Sequence, residues 1–363
     1  MECSNVFYAG MMVATIALVS PAAAATTLNV ANYGVDSGAC GPVLGTPCRS
    51  ISQAITNAMA GDTILVGPGR YGDLDGNGSL GGTGEESGAT GMIDVNKTLI
   101  ILSTMGASAT VVDYGLVSAG FYVTAPDVVI GSVNKGFTIS GDSGAGINLT
   151  GTASGATVAG NFVSAVQVPG TFPIYMNAPS AVARDNRARG GFGALLTKAG
   201  AVAERNVLSG ALFGLYAVTA DGATLQKNVA VDNDYGSYVS STSAPPAVFT
   251  RNLLTGNHLG GLYVLQLTTP PALTDVATGN NFYGNGDYAS ASPSNCGLIV
   301  ENNDGTNALA VTADGNYWGD VAPGPNPADN AAGPCNVTGG GVENVTTASP
   351  AAAEFKILPK ALR

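Results

Sequence analysis

Three stretches near the middle of the chain constrain its fold more than any other feature: RNVLSGALFGLYAV (205–218), KNVAVDNDYGSYVS (227–240) and RNLLTGNHLGGLYV (251–264). Each opens on a basic residue and an asparagine, continues with two or three apolar residues, and places glycine eight positions after the asparagine. The anchors Asn206, Asn228 and Asn252 are 22 and 24 residues apart, and their glycines are Gly214, Gly236 and Gly260. Weaker copies precede them at Asn161 and Asn186 and follow at Asn281 and Asn316. Within a unit, segments such as GLYAV alternate at period two and end at Gly, Asn or Asp, which reads as short strands joined by turns. Two or three such strands cannot bury a face alone, but stacked units bury a continuous core. The repeat therefore predicts an all-β chain folded as a parallel β-solenoid, with equivalent positions about 4.8 Å apart. In such a stack the anchor amides hydrogen-bond up and down a column. Tyr216 and Tyr238, each ten residues after its anchor, stack in the same way.

A solenoid needs its open ends covered, because they expose unpaired strand edges. The stretch CRSISQAITNAMAGDTILVGPGRY (48–71) supplies a short N-terminal capping helix, with Ile51, Ala54, Ile55, Ala58 and Met59 on one face and Gly61 ending it. DTILVGPGRY then opens the first strand. The resulting layout is a signal peptide (1–25), an N-terminal cap and first strand (26–72), a polar Gly-rich loop (73–91), β-helix rungs (92–320) and a C-terminal cap and tail (321–363). The signal reading rests on VFYAGMMVATIALVS followed by PAAAA: an early apolar run too short to span a bilayer, then small residues suited to cleavage. Its n-region carries Glu2 and no Lys or Arg. No later stretch is apolar for long enough to cross a membrane, so the mature chain is expected to be secreted, periplasmic or at the cell surface.

Removal of that segment leaves Cys40, Cys48, Cys296 and Cys335, an even count that suggests two disulfides with three connectivities open. The pairing favoured here is Cys40–Cys48 and Cys296–Cys335. Charged residues make up 11% of the chain, against about 25% in an average domain. The hydrophobic share of 45% is too high for disorder. A net charge of −11 argues against nucleic acid as a partner and is compatible with calcium.

The cap stretch, the VVIGSVNKGFTISG segment, the Asn-anchored repeats and GNYWGD together resemble the right-handed parallel β-helix of the pectin-lyase-like superfamily. The resemblance covers nearly the whole mature chain and implies the handedness, which periodicity alone does not show. It also implies an exported bacterial protein acting on or binding polysaccharide, extracellular or in the cell wall, through a lyase, hydrolase or epimerase chemistry. Fold does not decide function in such a group. The active-site patterns of its enzymes do not recur here: the single histidine sits in Asn-His-Leu, there is no Arg-Ile-Lys, and VARDNRARGG (182–191) brings arginines without a neighbouring acidic cluster. No catalytic residue carries over.

Four constellations remain, each with an ordinary alternative. Asp234, His258 and Asp287 each lie six residues after an anchor, counting from Asn281 for the last, where Asn280 is the alternative anchor. In register, two carboxylates would flank the imidazole and favour its protonated form for acid–base work, with Asp232, Tyr235 and Tyr238 nearby. Asn-Asp-Tyr-Gly and Asn-His-Leu-Gly are equally ordinary turn sequences. Arg205, Lys227 and Arg251 precede successive anchors and form a basic stripe for a uronate or other anionic sugar, or a plain solvated face, since like charges 4.8 Å apart in water repel by only about 0.9 kcal/mol. Arg184, Arg187, Arg189 and Lys198 would extend the stripe. DLDGNGSL (73–80) places Asp73, Asp75, Asn77 and Gly78 like the first half of a calcium loop, but Gly84 stands where the closing glutamate belongs and Glu85 and Glu86 follow. Trp318 reads as a core residue of the last rungs before a sugar platform. The function expected is polysaccharide binding, with cleavage or modification open. No cofactor is required, calcium is the one candidate ion, and a non-catalytic structural or adhesive surface protein is the rival.

Overall fold

The computed structural model describes residues 24–43, 45–77, 79–240, 242, 245–266, 274–286, 296–303, 308–320, 329 and 342–357. Nearly all of the expected signal segment, much of the C-terminal cap, and the candidates Asp287 and Cys335 lie outside them.

The period-two segments form strands of mostly three to five residues, and the chain visits three sheets in rotation. Among the described residues the first sheet has twelve strands, from Thr27–Val30 to Glu343–Thr346. The second has nine, from Gly69–Gly72 to Asn281–Tyr283, and the third nine, from Ile93–Val95 to Leu298–Asn302. Each strand pairs in parallel with the strands one rung before and after, as in Leu208↔Ala230, Ala230↔Leu254 and Leu254↔Phe282. This is a parallel β-helix. Strict alternation in Thr110–Gly115 sends every second side chain inward. Those inward residues fuse into one apolar cluster reaching from Leu28 to Trp318.

The first sheet begins earlier than the sequence suggests: Thr27–Val30 pairs with Thr63–Val66, so a strand precedes the helix. The helix itself is short, Ile51–Asn57, with Ile51, Ala54 and Ile55 buried and Ser50 Oγ accepting from the Gln53 N–H. Met59 does not share its apolar face. The Asp62 carboxylate accepts the Met59 N–H at 2.8 Å, the backbone is already extended at Ala58, and the Met59 side chain is exposed. Carboxylates hold the other end, where helix N–H groups lack internal partners. Asp36 accepts from the Arg49 and Ser50 N–H groups, and Glu86 from those of Ile51 and Ser52 at 2.8 and 2.7 Å. Lys97 Nζ donates to the Ile55, Thr56 and Ala58 carbonyls at the helix C-terminus. The Cys40–Cys48 disulfide forms as expected and lies beneath this cap. Cys296 is disulfide-bonded too.

The anchor asparagines are the internal rail of the helix. Asn161, Asn186, Asn206, Asn228, Asn252, Asn280 and Asn316 are all buried. Each of the first six passes a side-chain N–H to the amide oxygen of the next, at 3.0–3.3 Å. That oxygen also accepts the preceding anchor's backbone N–H, and the amide nitrogen donates to a carbonyl of the first sheet, as Asn206 does to Ala183. The anchor in the sixth rung is Asn280, not Asn281. A second buried rail runs five residues after the first at Asn233, Asn257 and Asn285 and ends on Asp329, thirteen residues after Asn316.

The residue before each anchor turns the corner from the first sheet to the second with positive φ. Gly160, Gly279 and Gly315 fill this column at its two ends, while Asp185, Arg205, Lys227 and Arg251 hold φ of 57°, 54°, 57° and 54°. For a side chain with a Cβ this left-handed conformation costs on the order of 1–3 kcal/mol.

Replacing a rail residue strands several buried groups at once. Asn228→Ala is expected to destabilise the fold by at least about 3 kcal/mol, since each abandoned buried donor or acceptor costs about 1–3 kcal/mol. Denaturant melts of the variant and of an exposed control, Asn77→Ala, measure this. Glu86→Ala removes the acceptor from two helix N–H groups and is expected to cost about 1–3 kcal/mol in the same assay.

Candidate functional site

The outer face of the third sheet carries a continuous run of rings. In Phe213–Ala217 the core takes Leu215 and Ala217, so Tyr216 points outward; Tyr238 and Tyr263 occupy the same register on the next two strands. Tyr216 and Tyr238 are neighbours, as the repeat predicts, but their rings meet tilted by 38° with centroids 5.0 Å apart rather than stacked, and Tyr238 meets Tyr263 at 5.5 Å. A second file lies beside them: Phe172 to Phe192 at 6.1 Å, Phe192 to Phe213 at 5.5 Å, Phe213 to Tyr235 at 5.5 Å and Tyr235 to Tyr263 at 5.5 Å. The two files join where Phe213 stacks on Tyr216 at 4.9 Å. All these separations suit offset or edge-on ring contacts. Gly193 makes room for them: a Cβ there would lie 2.9 Å from the Tyr216 Cβ and 3.3 Å from the Phe172 ring. Five rungs contribute, which gives a strip about 20 Å long at one rung per 4.8 Å.

Polar groups edge the strip. The Tyr263 hydroxyl donates to the Glu301 carboxylate, and Asp234 adjoins Tyr235. Burial pushes the phenols of Tyr216, Tyr235 and Tyr263 up, with Asp234 and Glu301 adding to the shift at Tyr235. Burial raises Tyr238 to about 12. At neutral pH these hydroxyls are therefore neutral hydrogen-bonding groups on an apolar face.

The histidine cluster differs from its expected form. His258 follows the second-rail residue Asn257 and is exposed, with Nδ1 3.4 Å from Asp234 Oδ1 and Nε2 3.4 Å from Asp232 Oδ1. Both carboxylates belong to the same neighbouring rung, so the imidazole is not sandwiched along a column. Because Asn280 is the anchor, the position six residues later is Gly286; Asp287 lies outside the described residues. What remains is a solvated turn cluster with no enclosing walls among the described residues.

The basic stripe is real but shorter than the sequence suggests. Asp185, not an arginine, occupies the turn column below Arg205 and accepts its Nε and Nη2 at 2.9 and 3.0 Å. Glu204 pairs with Arg205 Nη1 at 2.6 Å. Arg184, Arg187 and Arg189 lie on strands, and Arg187 stacks over the Phe162 ring instead. Lys227 and Arg251 continue the column without a carboxylate partner among the described residues.

In the polar loop, Asp73, Asp75 and Glu85 bring carboxylate oxygens within 4.8 Å of one another, a set that could hold a hard cation. Asn77 lies beside it, its amide donating to Asp75 and accepting the Ser79 N–H. Glu85 joins the two aspartates, and its oxygens accept the N–H groups of Leu74, Asp75 and Gly82. Trp318 stacks on Phe282 at 4.9 Å inside the core.

Residues 118–275 match a protein-family model described as the right handed beta helix region. Among solved structures, the chain is similar to pectate lyase Pel9A, with 17% identity over 80% of this chain and 78% of that one and a TM-score of 0.50. It is also similar to the Dettilon tailspike protein, with 12% identity over 88% of this chain and 68% of that one and a TM-score of 0.52. No curated protein matches the sequence. The fold is thus a right-handed parallel β-helix.

Raised phenols couple stability to alkali. Tyr71, Tyr238 and Tyr283 are held at about 12 by burial, against an ordinary value near 10. Between those values the unfolded chain loses protons that the folded chain keeps, so stability is full below about pH 10 and falls as pH rises toward 12. Urea melts at pH 8, 9 and 11 should show the midpoint dropping mainly in the last step, with tyrosinate absorbance appearing at the same transition.

Proposed function

We propose that this chain is an exported protein that binds extracellular or cell-wall polysaccharide along the outer face of its third sheet. The aromatic strip carries the reading. Phe213 and Tyr238 are buried within the strip, and the half-buried rings of Phe172, Phe192, Tyr216, Tyr235 and Tyr263 offer apolar surface to the flat hydrocarbon faces of successive sugar units. Neutral phenols and the carboxylates of Glu301 and Asp234 at its margin supply hydrogen bonds to hydroxyl groups. A linear polymer lying along the helix axis would meet every rung, so weak contacts would add over its length. The shared fold with a pectate lyase and a tailspike protein is in keeping with this, as is the leader-like N-terminal sequence. Bond cleavage is not part of the proposal: the one histidine sits in an open turn, where bulk water would solvate any charge that developed.

Affinity electrophoresis against a panel of neutral and acidic polysaccharides tests the reading. Retention of the wild type by at least one polymer is expected, and Tyr216→Ala or Tyr263→Ala should each weaken it about two- to tenfold. Failure of every polymer to retard the protein, or retardation unchanged in both variants, would leave the β-helix as a non-binding spacer.

A further inference from the structure

We infer that the turn column between the first and second sheets forms a separate binding pocket for the anionic group of a small acidic ligand, a sugar acid. The pocket encloses about 470 Å³ and is lined by Arg205, Lys227, Arg251 and Lys356 together with Phe355 and Ile357. That volume falls within the range of small-molecule sites, about 300–1,000 Å³. Its cations come from two distant parts of the chain. Three stand on successive rungs, and Lys356 arrives on the C-terminal segment, which is fastened across the turn by a reciprocal pair of bonds. The Asn281 amide donates to the Phe355 carbonyl at 2.8 Å and accepts the Phe355 N–H at 2.9 Å.

Two observations point to a ligand. Arg205 has its charge answered by Asp185 and Glu204, but among the described residues Lys227, Arg251 and Lys356 meet no carboxylate. In a chain of net charge −11, with only 14 Lys and Arg, three unanswered cations around one hollow are not a compositional accident. The backbone supplies the second. Lys227 and Arg251 occupy left-handed turn positions at φ 57° and 54°, where the same column uses the unstrained residue at Gly160, Gly279 and Gly315. Long cations thus stand where glycine would be more stable, a pattern associated with function. Arg and Lys suit a carboxylate or phosphate oxygen, and the apolar Phe355 and Ile357 suit the ring that bears it. The anionic part of this assignment rests on the pocket alone; its sugar part rests on the glycan reading above.

Isothermal titration of the full chain with galacturonate, galactose and inorganic phosphate tests it, alongside the double variant Lys227→Gly/Arg251→Gly. Glycine suits both turn positions, so the variant should melt at the same temperature as wild type or higher, and this separates the role from a structural one. The expected result is galacturonate binding by the wild type that weakens at least tenfold in the variant, with galactose and phosphate binding far less. Absence of galacturonate binding, equal binding of galactose or phosphate, or affinity unchanged in the variant would each overturn the inference. Tyr216→Ala leaves the pocket intact, so galacturonate binding that persists when polymer retention is lost or never seen supports the pocket independently of the strip.

Discussion

Everything in this molecule depends on turns that bury a polar group at every rung without leaving it unpaired. A parallel β-helix must change direction several times per coil, and each change brings backbone N–H and C=O groups against an apolar interior. The buried asparagine at the first corner accepts two N–H groups from the rung before it and donates to that rung's chain and to the next asparagine. No other common side chain combines an acceptor and two donors in so short a reach. Stacking at one rung per coil then makes the arrangement self-propagating, because each amide satisfies its neighbour.

The same regularity turns a short sequence repeat into surfaces. Whatever residue type recurs at one offset from the anchor becomes a column: rings on the third sheet, cations at the first corner. Tyr216 and Tyr238, each ten residues after its anchor, pair in one register on the third sheet, and Arg205, Lys227 and Arg251, each directly before its anchor, form a basic edge. The cap obeys another logic. There the helix Ile51–Asn57 is too short to persist alone, and Glu86 and Lys97, each distant in sequence, satisfy its two ends.

Much of this was legible in the residues. The Asn206, Asn228 and Asn252 anchors, the Cys40–Cys48 bond, the capping helix, the core place of Trp318 and the adjacency of Tyr216 and Tyr238 all follow from spacing and periodicity. The sequence carries a second signal: Asn233, Asn257 and Asn285 stand five residues after Asn228, Asn252 and Asn280, which is the spacing of the second rail. The choice between Asn280 and Asn281 was not readable, since both are asparagines at the same place in the repeat; the hydrogen bonds of the rail decide for Asn280 and put Gly286 six residues after the anchor. Phe172 and Phe192 were equally hidden, because the rungs that carry them differ in length from the three clear repeats.

By itself the sequence determined the β-helix, because alternation, turn residues and buried amides act within a single coil and repeat with it. It also determined which residue types would line up where the coils are of similar length. Tertiary structure alone decided what faces what across coils of unequal length. It set Asp185 against Arg205, gathered Asp232 and Asp234 on one side of His258, and folded the tail back so that Lys356 joins Lys227 and Arg251. The physical reason is that loops change the count of residues per coil without changing the rise per coil. Offsets along the chain therefore cease to report distances in space wherever a loop intervenes.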